Sequence, residues 1–120
     1  MCGICGFTSP ILDKRKYLND MVEQLSSRGP DAKGVYSNES INLGHTRLSI
    51  IDLNERSNQP FFDKQTGNIL VFNGEIYNFK EIKKDLIEKK NCVFTTTSDT
   101  EVVLKSYAYY GLDCFSKFDG

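Results

Sequence analysis

The chain has 120 residues, of which 39% are hydrophobic and 26% are charged, as is typical of one globular domain. Its net charge of −1 leaves no basic surface for nucleic acid or anionic membranes, and no apolar run approaches the roughly 20 residues that span a bilayer. The N-terminus has no basic region followed by an apolar stretch, so we expect no secretory signal, a cytoplasmic location and reduced cysteines.

The first half of the chain predicts a strand, a helix and a hairpin. The strand is expected at 4–8 and the helix at 13–27, with Asp13 as its N-cap. The apolar face of this helix repeats at three- and four-residue spacing and consists of Leu18, Met21, Val22 and Leu25. The turn sequence R-G-P-D then ends the helix. Strands at 33–37 and 41–52, joined through S-N-E-S, predict a β-hairpin.

The second half predicts two more strands and two more helices. They are a strand at 69–72, a helix at 78–90, a strand from Cys92 to Thr96 and a helix from Ser98 to about Tyr110. The helix at 78–90 begins near a capping pair, Asn78 and Glu81. The last helix begins with an S-x-x-E box, Ser98 and Glu101, and stops at Gly111. The predicted fold class is α+β, with mostly antiparallel strands and helices packed on them.

The opening sequence M-C-G-I-C-G-F places Cys2 directly behind the initiator methionine. Removal of that methionine would leave Cys2 with a free α-amine, whose pKa is roughly 7.7–8.0. Such an amine can act as the general base for the thiol of the same residue, so no histidine is required for a nucleophile. The alternative is that Cys2 is merely a small residue near a terminus.

Cys2 and Cys5 also have the C-x-x-C spacing of zinc and redox sites. A zinc site would need two more ligands from Cys92, Cys114 and His45, which form no second closely spaced pair. A redox motif should follow a strand and open a helix, and nothing precedes this one. We therefore expect no metal and interpret Cys5 as a small strand residue that faces inward.

Three further motifs offer polar groups. In F-N-G-E, Asn73 and Gly74 could supply two donors to an oxyanion, although Asn-Gly between apolar runs is also a strong hairpin-turn signal. Arg47, in an otherwise apolar strand, is either a carboxylate clamp or a solvent-exposed side chain. Asp99 is either a ligand-binding carboxylate or a favourable charge in a helix first turn. A thiol, an oxyanion hole, a cation and an anion together suit glutamine.

Five motifs in this order resemble the class II glutamine amidotransferase domain: M-C-G-I-C-G-F, R-G-P-D-A-K-G, H-T-R-L-S-I-I-D-L, F-N-G-E-I-Y-N and S-D-T-E-V. They are most similar to the glutaminase half of glutamine-hydrolysing asparagine synthetases, and they span residues 2–102. The resemblance implies an N-terminal-nucleophile hydrolase with two stacked antiparallel sheets between helical layers. It makes residues 1–120 the N-terminal portion of the glutaminase domain.

The resemblance also implies a role for each site residue. Cys2 would attack the glutamine carboxamide, Asn73 and Gly74 would hold the oxyanion, and Arg47 would bind the α-carboxylate. The α-amino group and the pocket walls would be formed by the backbone of Leu48, Ile50 and Ile51 together with Glu75 and Asp99. The thioester on Cys2 would be hydrolysed to glutamate, and the ammonia would pass to a synthetase domain that makes asparagine from aspartate.

Some features depart from the family pattern. Cys5 stands where alanine is frequent, and Thr46 stands where arginine is frequent, which we interpret as a surface change. The S-G-G-x-D pyrophosphate loop is absent from these 120 residues, so we expect no cofactor here, with ATP and Mg²⁺ belonging to the synthetase domain. We expect a fragment of a longer protein that self-associates into a homo-oligomer through an unfinished sheet. If Met1 is retained, the uncleaved precursor is expected to be inactive.

The expected partners are therefore L-glutamine and a synthetase domain, with neither nucleic acid nor membrane. Two alternatives to asparagine synthesis stay open. One is an amidotransferase of cell-surface sugar or secondary-metabolite synthesis. The other is a catalytically silent, truncated module that keeps the fold without releasing ammonia.

Overall fold

The computed structural model describes residues 1–8, 12–49 and 54–120. The strands are β1 (Gly3–Phe7), β2 (Ala32–Ser37), β3 (Asn42–Arg47), β4 (Phe61–Phe62) and β5 (Ile69–Leu70). The α-helices are α1 (Lys14–Gln24), α2 (Phe79–Lys90) and α3 (Asp99–Tyr110). Two 3₁₀ helices, Glu55–Ser57 and Gly111–Lys117, complete the described elements. The predicted α+β class is confirmed, with antiparallel sheets and packed helices.

The larger sheet has the strand order β1-β3-β2, and all its pairs are antiparallel. The predicted hairpin is confirmed between β2 and β3. Its loop is held by Asn38, whose Oδ1 accepts hydrogen bonds from the backbone N–H groups of Ser40 (2.9 Å) and Ile41 (2.7 Å). β3 ends at Arg47, earlier than the predicted strand, and the last part of that prediction lies outside the described residues. β4 and β5 form a separate two-stranded sheet.

Helix α1 packs on the larger sheet through Leu18 and Val22, which are both buried. Gly44 of β3 lies beneath them, and a Cβ there would collide with the Val22 side chain. The predicted apolar face is narrower than expected, because Met21 is exposed. Asp13 is the N-cap residue of α1, as predicted, but its φ is 58° and its side chain makes no capping hydrogen bond.

A second apolar cluster joins α2 and α3. Its buried members are Ile76, Ile82, Leu86, Cys92, Val102 and Val103. Ser98 caps α3 as predicted, since its Oγ accepts from Thr100 N at 3.1 Å, and Gly111 ends the helix with a φ of 57°. The predicted capping role of Asn78 is wrong, because its Nδ2 donates to Lys117 O (2.9 Å) and its Oδ1 accepts from Asp119 N (3.0 Å).

The predicted strand from Cys92 to Thr96 is also wrong. Its backbone N–H groups at Thr95 and Thr96 donate to the Glu101 carboxylate at 2.7–3.1 Å rather than to a neighbouring strand. Both threonine hydroxyls donate to the same carboxylate, which is 1% exposed. Glu101 is therefore an anchor for the 92–96 segment and does not complete the capping box expected with Ser98. Within the described ranges, no helix combines the length and apolarity needed to cross a membrane.

Candidate active site

The register of the larger sheet places Cys2 next to the end of β3. Gly3 pairs with Thr46, so the residue before Gly3 lies beside Arg47 and Leu48. The Cys2 Sγ accepts from Leu48 N at 3.4 Å and lies 3.7 Å from Leu48 O. Arg28, from the R-G-P-D turn, donates from Nε to Cys2 O at 3.1 Å. These contacts fix both ends of the Cys2 residue.

A cavity of about 320 Å³ opens beside Cys2. Every predicted site residue within the described ranges lines it, namely Cys2, Arg47, Leu48, Asn73, Gly74, Glu75 and Asp99. Ile50 and Ile51, the other two predicted pocket residues, lie outside the described residues. A cavity of this size is at the lower end of the range found for small-molecule sites.

Arg47 is a buried cation at one end of this cavity. Its side chain is 5% exposed, so the alternative of a solvent-facing arginine is wrong. One guanidinium nitrogen, Nη1, donates to Asn54 O at 3.0 Å and to Asn58 Oδ1 at 2.7 Å. The 54–58 turn therefore holds the guanidinium in place, which is the preorganisation needed for bidentate carboxylate binding.

The segment that contains Asn73 and Gly74 is not a tight hairpin turn. Type I′ and II′ hairpin turns require a positive φ at one or both central residues, and neither residue has one. Both residues are exposed and face the cavity in an irregular segment that follows β5. The Asn73 amide and the Gly74 N–H therefore remain available as donors.

Asp99 supports this segment from the start of α3. Its carboxylate is buried, and Oδ2 accepts from Ile76 N at 3.1 Å. Asp99 thus occupies the first turn of a helix, where a carboxylate is favourable, and it also lines the cavity, where a ligand-binding carboxylate would have to be. One carboxylate serves both the helix N-terminus and the wall of the site.

Several cavity residues were missed by the sequence reasoning. They are Met1, Ser57, Gln59, Phe72, Tyr77, Ser98 and Thr100. Gln59 is the most connected of them, because its Oε1 accepts from Phe72 N at 2.6 Å and its Nε2 donates to Thr100 Oγ1 at 3.3 Å. The only signal for Gln59 and Ser57 was their place in a polar stretch between two recognised motifs.

The other cysteines differ from Cys2 in their surroundings. Burial raises the pKa of Cys5, Cys92 and Cys114, which disfavours their thiolates. Cys5 is half-buried in β1, close to Gly44, as predicted for an inward-facing strand residue. Within residues 1–8, 12–49 and 54–120, no group of three or more His, Cys, Asp or Glu side chains could hold a metal ion.

Thr46 corrects one expectation about this region. The sequence comparison treated it as a surface change, but Thr46 is 0% exposed and its Oγ1 donates to Leu25 O at 3.1 Å. It lies between β1 and the end of α1, where a Cβ on Gly3 would be 2.7 Å from its Oγ1. Thr46 therefore belongs to the packing that sets the position of Cys2.

Residues 1–120 match the glutamine amidotransferase domain family, and the chain belongs to that family. It is 38% identical to asparagine synthetase [glutamine-hydrolyzing] 1 of Arabidopsis thaliana and 37% identical to asparagine synthetase [glutamine-hydrolyzing] 1 of Bacillus subtilis. It is also 38% identical to amidase chry2 of Gibberella zeae. Each match covers 100% of this chain and 20% of the relative, so the chain spans about a fifth of the length of these curated relatives.

Proposed function

We propose that the chain hydrolyses the side-chain amide of L-glutamine to glutamate and ammonia, with Cys2 as the nucleophile. The observation that carries the proposal is the single cavity that gathers Cys2, Arg47, the Asn73–Gly74 donors and Asp99. Arg47 would bind the α-carboxylate, and Asp99 and Glu75 would face the α-ammonium group. The side-chain carboxamide would then extend toward Cys2 and the two donors.

The chemistry proceeds in two halves. The Cys2 Sγ attacks the carboxamide carbon, forming a C–S bond, and the resulting oxyanion accepts hydrogen bonds from Asn73 and Gly74. The C–N bond then breaks, and the nitrogen leaves as ammonia with the proton taken from the thiol. Water attacks the thioester carbon, the C–S bond breaks, and glutamate and the free thiol are released.

Removal of Met1 prepares the nucleophile. Met1 lines the cavity, and its carbonyl carbon holds the α-nitrogen of Cys2 in a peptide bond, so Cys2 has no free α-amine until Met1 is removed. After cleavage the α-amine of Cys2 can take the thiol proton and return it to the leaving nitrogen. We propose that the mature domain has the N-terminal-nucleophile architecture, in which two stacked antiparallel sheets lie between helical layers.

The ammonia acceptor belongs to the longer protein. The asparagine synthetase relatives support aspartate as the acceptor, in an ATP-dependent reaction that yields asparagine. The amidase chry2 relative, at the same level of identity, carries a different name, so we keep a second candidate, an amidotransferase of cell-surface sugar or secondary-metabolite synthesis. The two are separated by supplying the full-length protein with glutamine, ATP, Mg²⁺ and aspartate and measuring asparagine.

The glutaminase proposal is tested by glutamate release from the full-length protein. Cys2→Ala is expected to abolish release, and Cys5→Ala, the matched control at the neighbouring cysteine within β1, is expected to keep it. An electrophilic glutamine analogue should add one adduct, on Cys2, as seen by mass spectrometry of the Met-free protein. Glutamate release that survives Cys2→Ala, or an adduct elsewhere only, would refute the proposal.

A further inference from the structure

The hydroxyl of Ser57 is an unpaired polar group in the wall of the candidate site. Ser57 is 2% exposed, and its Oγ has no hydrogen-bond partner among the described residues. A buried donor without a partner costs about 1–3 kcal/mol, and most such groups in folded proteins are satisfied. Ser57 also lines the cavity beside Cys2. A bound molecule in that cavity would supply the missing partner.

The other cavity serine and threonine hydroxyls each have a partner within the protein. Ser98 Oγ accepts from Thr100 N at 3.1 Å, and Thr100 Oγ1 accepts from Gln59 Nε2 at 3.3 Å. Both belong to the frame that joins the start of α3 to the rest of the site. Among these three hydroxyls of the cavity wall, the Ser57 hydroxyl is the one that has no hydrogen-bond partner within the described part of the protein.

Ser57 lies in the turn that holds the Arg47 guanidinium. Asn54 O accepts from Arg47 Nη1 (3.0 Å) and from Ser57 N (3.1 Å), while the Asn58 side chain accepts from the same Nη1 (2.7 Å). The hydroxyl and the guanidinium are thus carried by one hydrogen-bonded unit. A group drawn to the cation is brought to the hydroxyl as well.

We propose that Ser57 donates a hydrogen bond from Oγ to the α-carboxylate of glutamine, next to Arg47. The cation decides which end of the amino acid comes here, since it attracts the carboxylate and repels the α-ammonium group. A hydroxyl donating to a carboxylate forms a charge-assisted hydrogen bond, which is stronger than a neutral one. Ser57 therefore sets specificity for a free α-carboxylate. This inference rests on the proposed glutaminase function.

The test compares two substrates on the full-length protein. Ser57→Ala is expected to raise KM for L-glutamine by about ten- to a hundredfold with kcat nearly unchanged, because a bond to the carboxylate is the same in ground and transition states. With L-glutamine α-amide, which has a neutral carboxamide in place of the carboxylate, the same substitution should change KM by about threefold or less. A merely structural role would affect both substrates equally.

Ser106→Ala is the matched control. Ser106 Oγ is also fully buried and unpaired within the part of the chain that the structure describes, but it lies in α3 and does not line the cavity. Its removal should leave both KM values unchanged. If Ser57→Ala does not fold, Ser57→Cys keeps the volume and substitutes a weak S–H donor, and the same substrate difference is expected.

The outcomes separate the two proposals. If Ser57→Ala changes KM equally for both substrates, or does not change KM for L-glutamine, the proposed role of Ser57 is overturned. The glutaminase proposal still stands in that case, provided that the wild-type protein releases glutamate. Absence of glutamate release from the Met-free wild-type protein overturns the glutaminase proposal, and the role of Ser57 with it. A KM change confined to L-glutamine and to Ser57 substitutions supports both.

Discussion

Gln59→Met should slow glutamine hydrolysis although Gln59 takes no chemical part in it. Gln59 is buried, and its carboxamide bridges Phe72 N at 2.6 Å and Thr100 Oγ1 at 3.3 Å. It thereby ties the backbone just before Asn73 to the first turn of α3. Methionine has a similar length and no comparable hydrogen-bonding groups, so the substitution removes the bridge and largely keeps the volume.

The size of the effect follows from the two hydrogen bonds. Loss of the acceptor leaves the Phe72 N–H without this partner, at a cost of about 1–3 kcal/mol, and the bond to Thr100 contributes about 0.5–1.5 kcal/mol more. The next two residues, Asn73 and Gly74, supply the proposed oxyanion donors, and losing one such donor typically costs about 10²–10³ in kcat. Since the donors are displaced rather than removed, we expect kcat to fall by about 10–100-fold.

The assay is steady-state glutamate release, with kcat and KM determined separately. KM for glutamine should change by about threefold or less, because the oxyanion is absent from bound glutamine and develops only when the thiol attacks. Gln59→Glu, which keeps an acceptor for Phe72 N, should lie between wild type and Gln59→Met. Gln65→Met is the control, since the Gln65 side chain accepts from Lys105 Nζ at 3.3 Å and Gln65 does not line the cavity. A folded Gln59→Met protein with wild-type kcat would refute this reasoning.

Two predictions concern stability. Burial alone would raise the pKa of Asp63, but hydrogen bonds from Lys105 (2.9 Å) and neighbouring groups hold it below its usual value. The resulting stability is complete above about pH 3.9, the unfolded pKa, and is lost as the pH falls through the lower folded pKa. Asp63→Asn should lower the free energy of unfolding, measured with urea, by about 3–5 kcal/mol at neutral pH. It should also flatten the decrease of that free energy at acid pH. As a control, Asp20→Asn, which breaks an exposed ion pair, should cost less than about 1 kcal/mol. An unchanged acid profile for Asp63→Asn would contradict the first prediction. Gly34→Ala places a Cβ against the backbone carbonyl of Gln59, so the variant should unfold at a lower urea concentration and have a lower kcat. Wild-type values for both quantities would contradict this second prediction.

The regular elements were accessible from sequence because their signals are local. The spacing of Leu18 and Val22 predicts α1, and Ser98 before a helical pattern predicts the start of α3. The β2–β3 hairpin follows from two β-rich runs around S-N-E-S. Each of these predictions depends on residues within a few positions of one another, where the spacing of apolar residues, the capping residue and the turn sequence decide the local structure.

The errors arose where a different hydrogen-bond partner replaced the expected one. Asn78 has the right spacing from Glu81 for a capping pair, but it binds the backbone of 117–119, far along the chain. The run ending at Thr96 has the composition of a strand, yet the N–H groups of Thr95 and Thr96 bind the Glu101 carboxylate instead of a neighbouring strand. No local pattern distinguishes a carboxylate partner from a strand partner.

The candidate site was predictable to the extent that its groups lie in motifs. Cys2, Arg47, Asn73 and Asp99 were each ambiguous alone, and their convergence on one cavity is what the structure adds. Ser57 belongs to no motif. It stands out because its hydroxyl is buried without a hydrogen-bond partner among the described residues, and only the folded structure shows this.

The position of Cys2, the proposed nucleophile, is set by sheet register rather than by a dedicated loop. Antiparallel pairing of Gly3 with Thr46 brings the residue before β1 to the residue after β3, which is why Cys2 meets Leu48 across 46 positions of sequence. A slip of one residue would turn every side chain of β1 to the opposite face and move the thiol out of the cavity. Gly3 permits the observed register, since a Cβ there would be 2.7 Å from Thr46 Oγ1 and 3.0 Å from Leu25 Cβ, so only glycine fits this position without displacing its neighbours. The glycine after Cys2 therefore matters to the site, because it allows the alignment that places the Cys2 thiol beside the cavity.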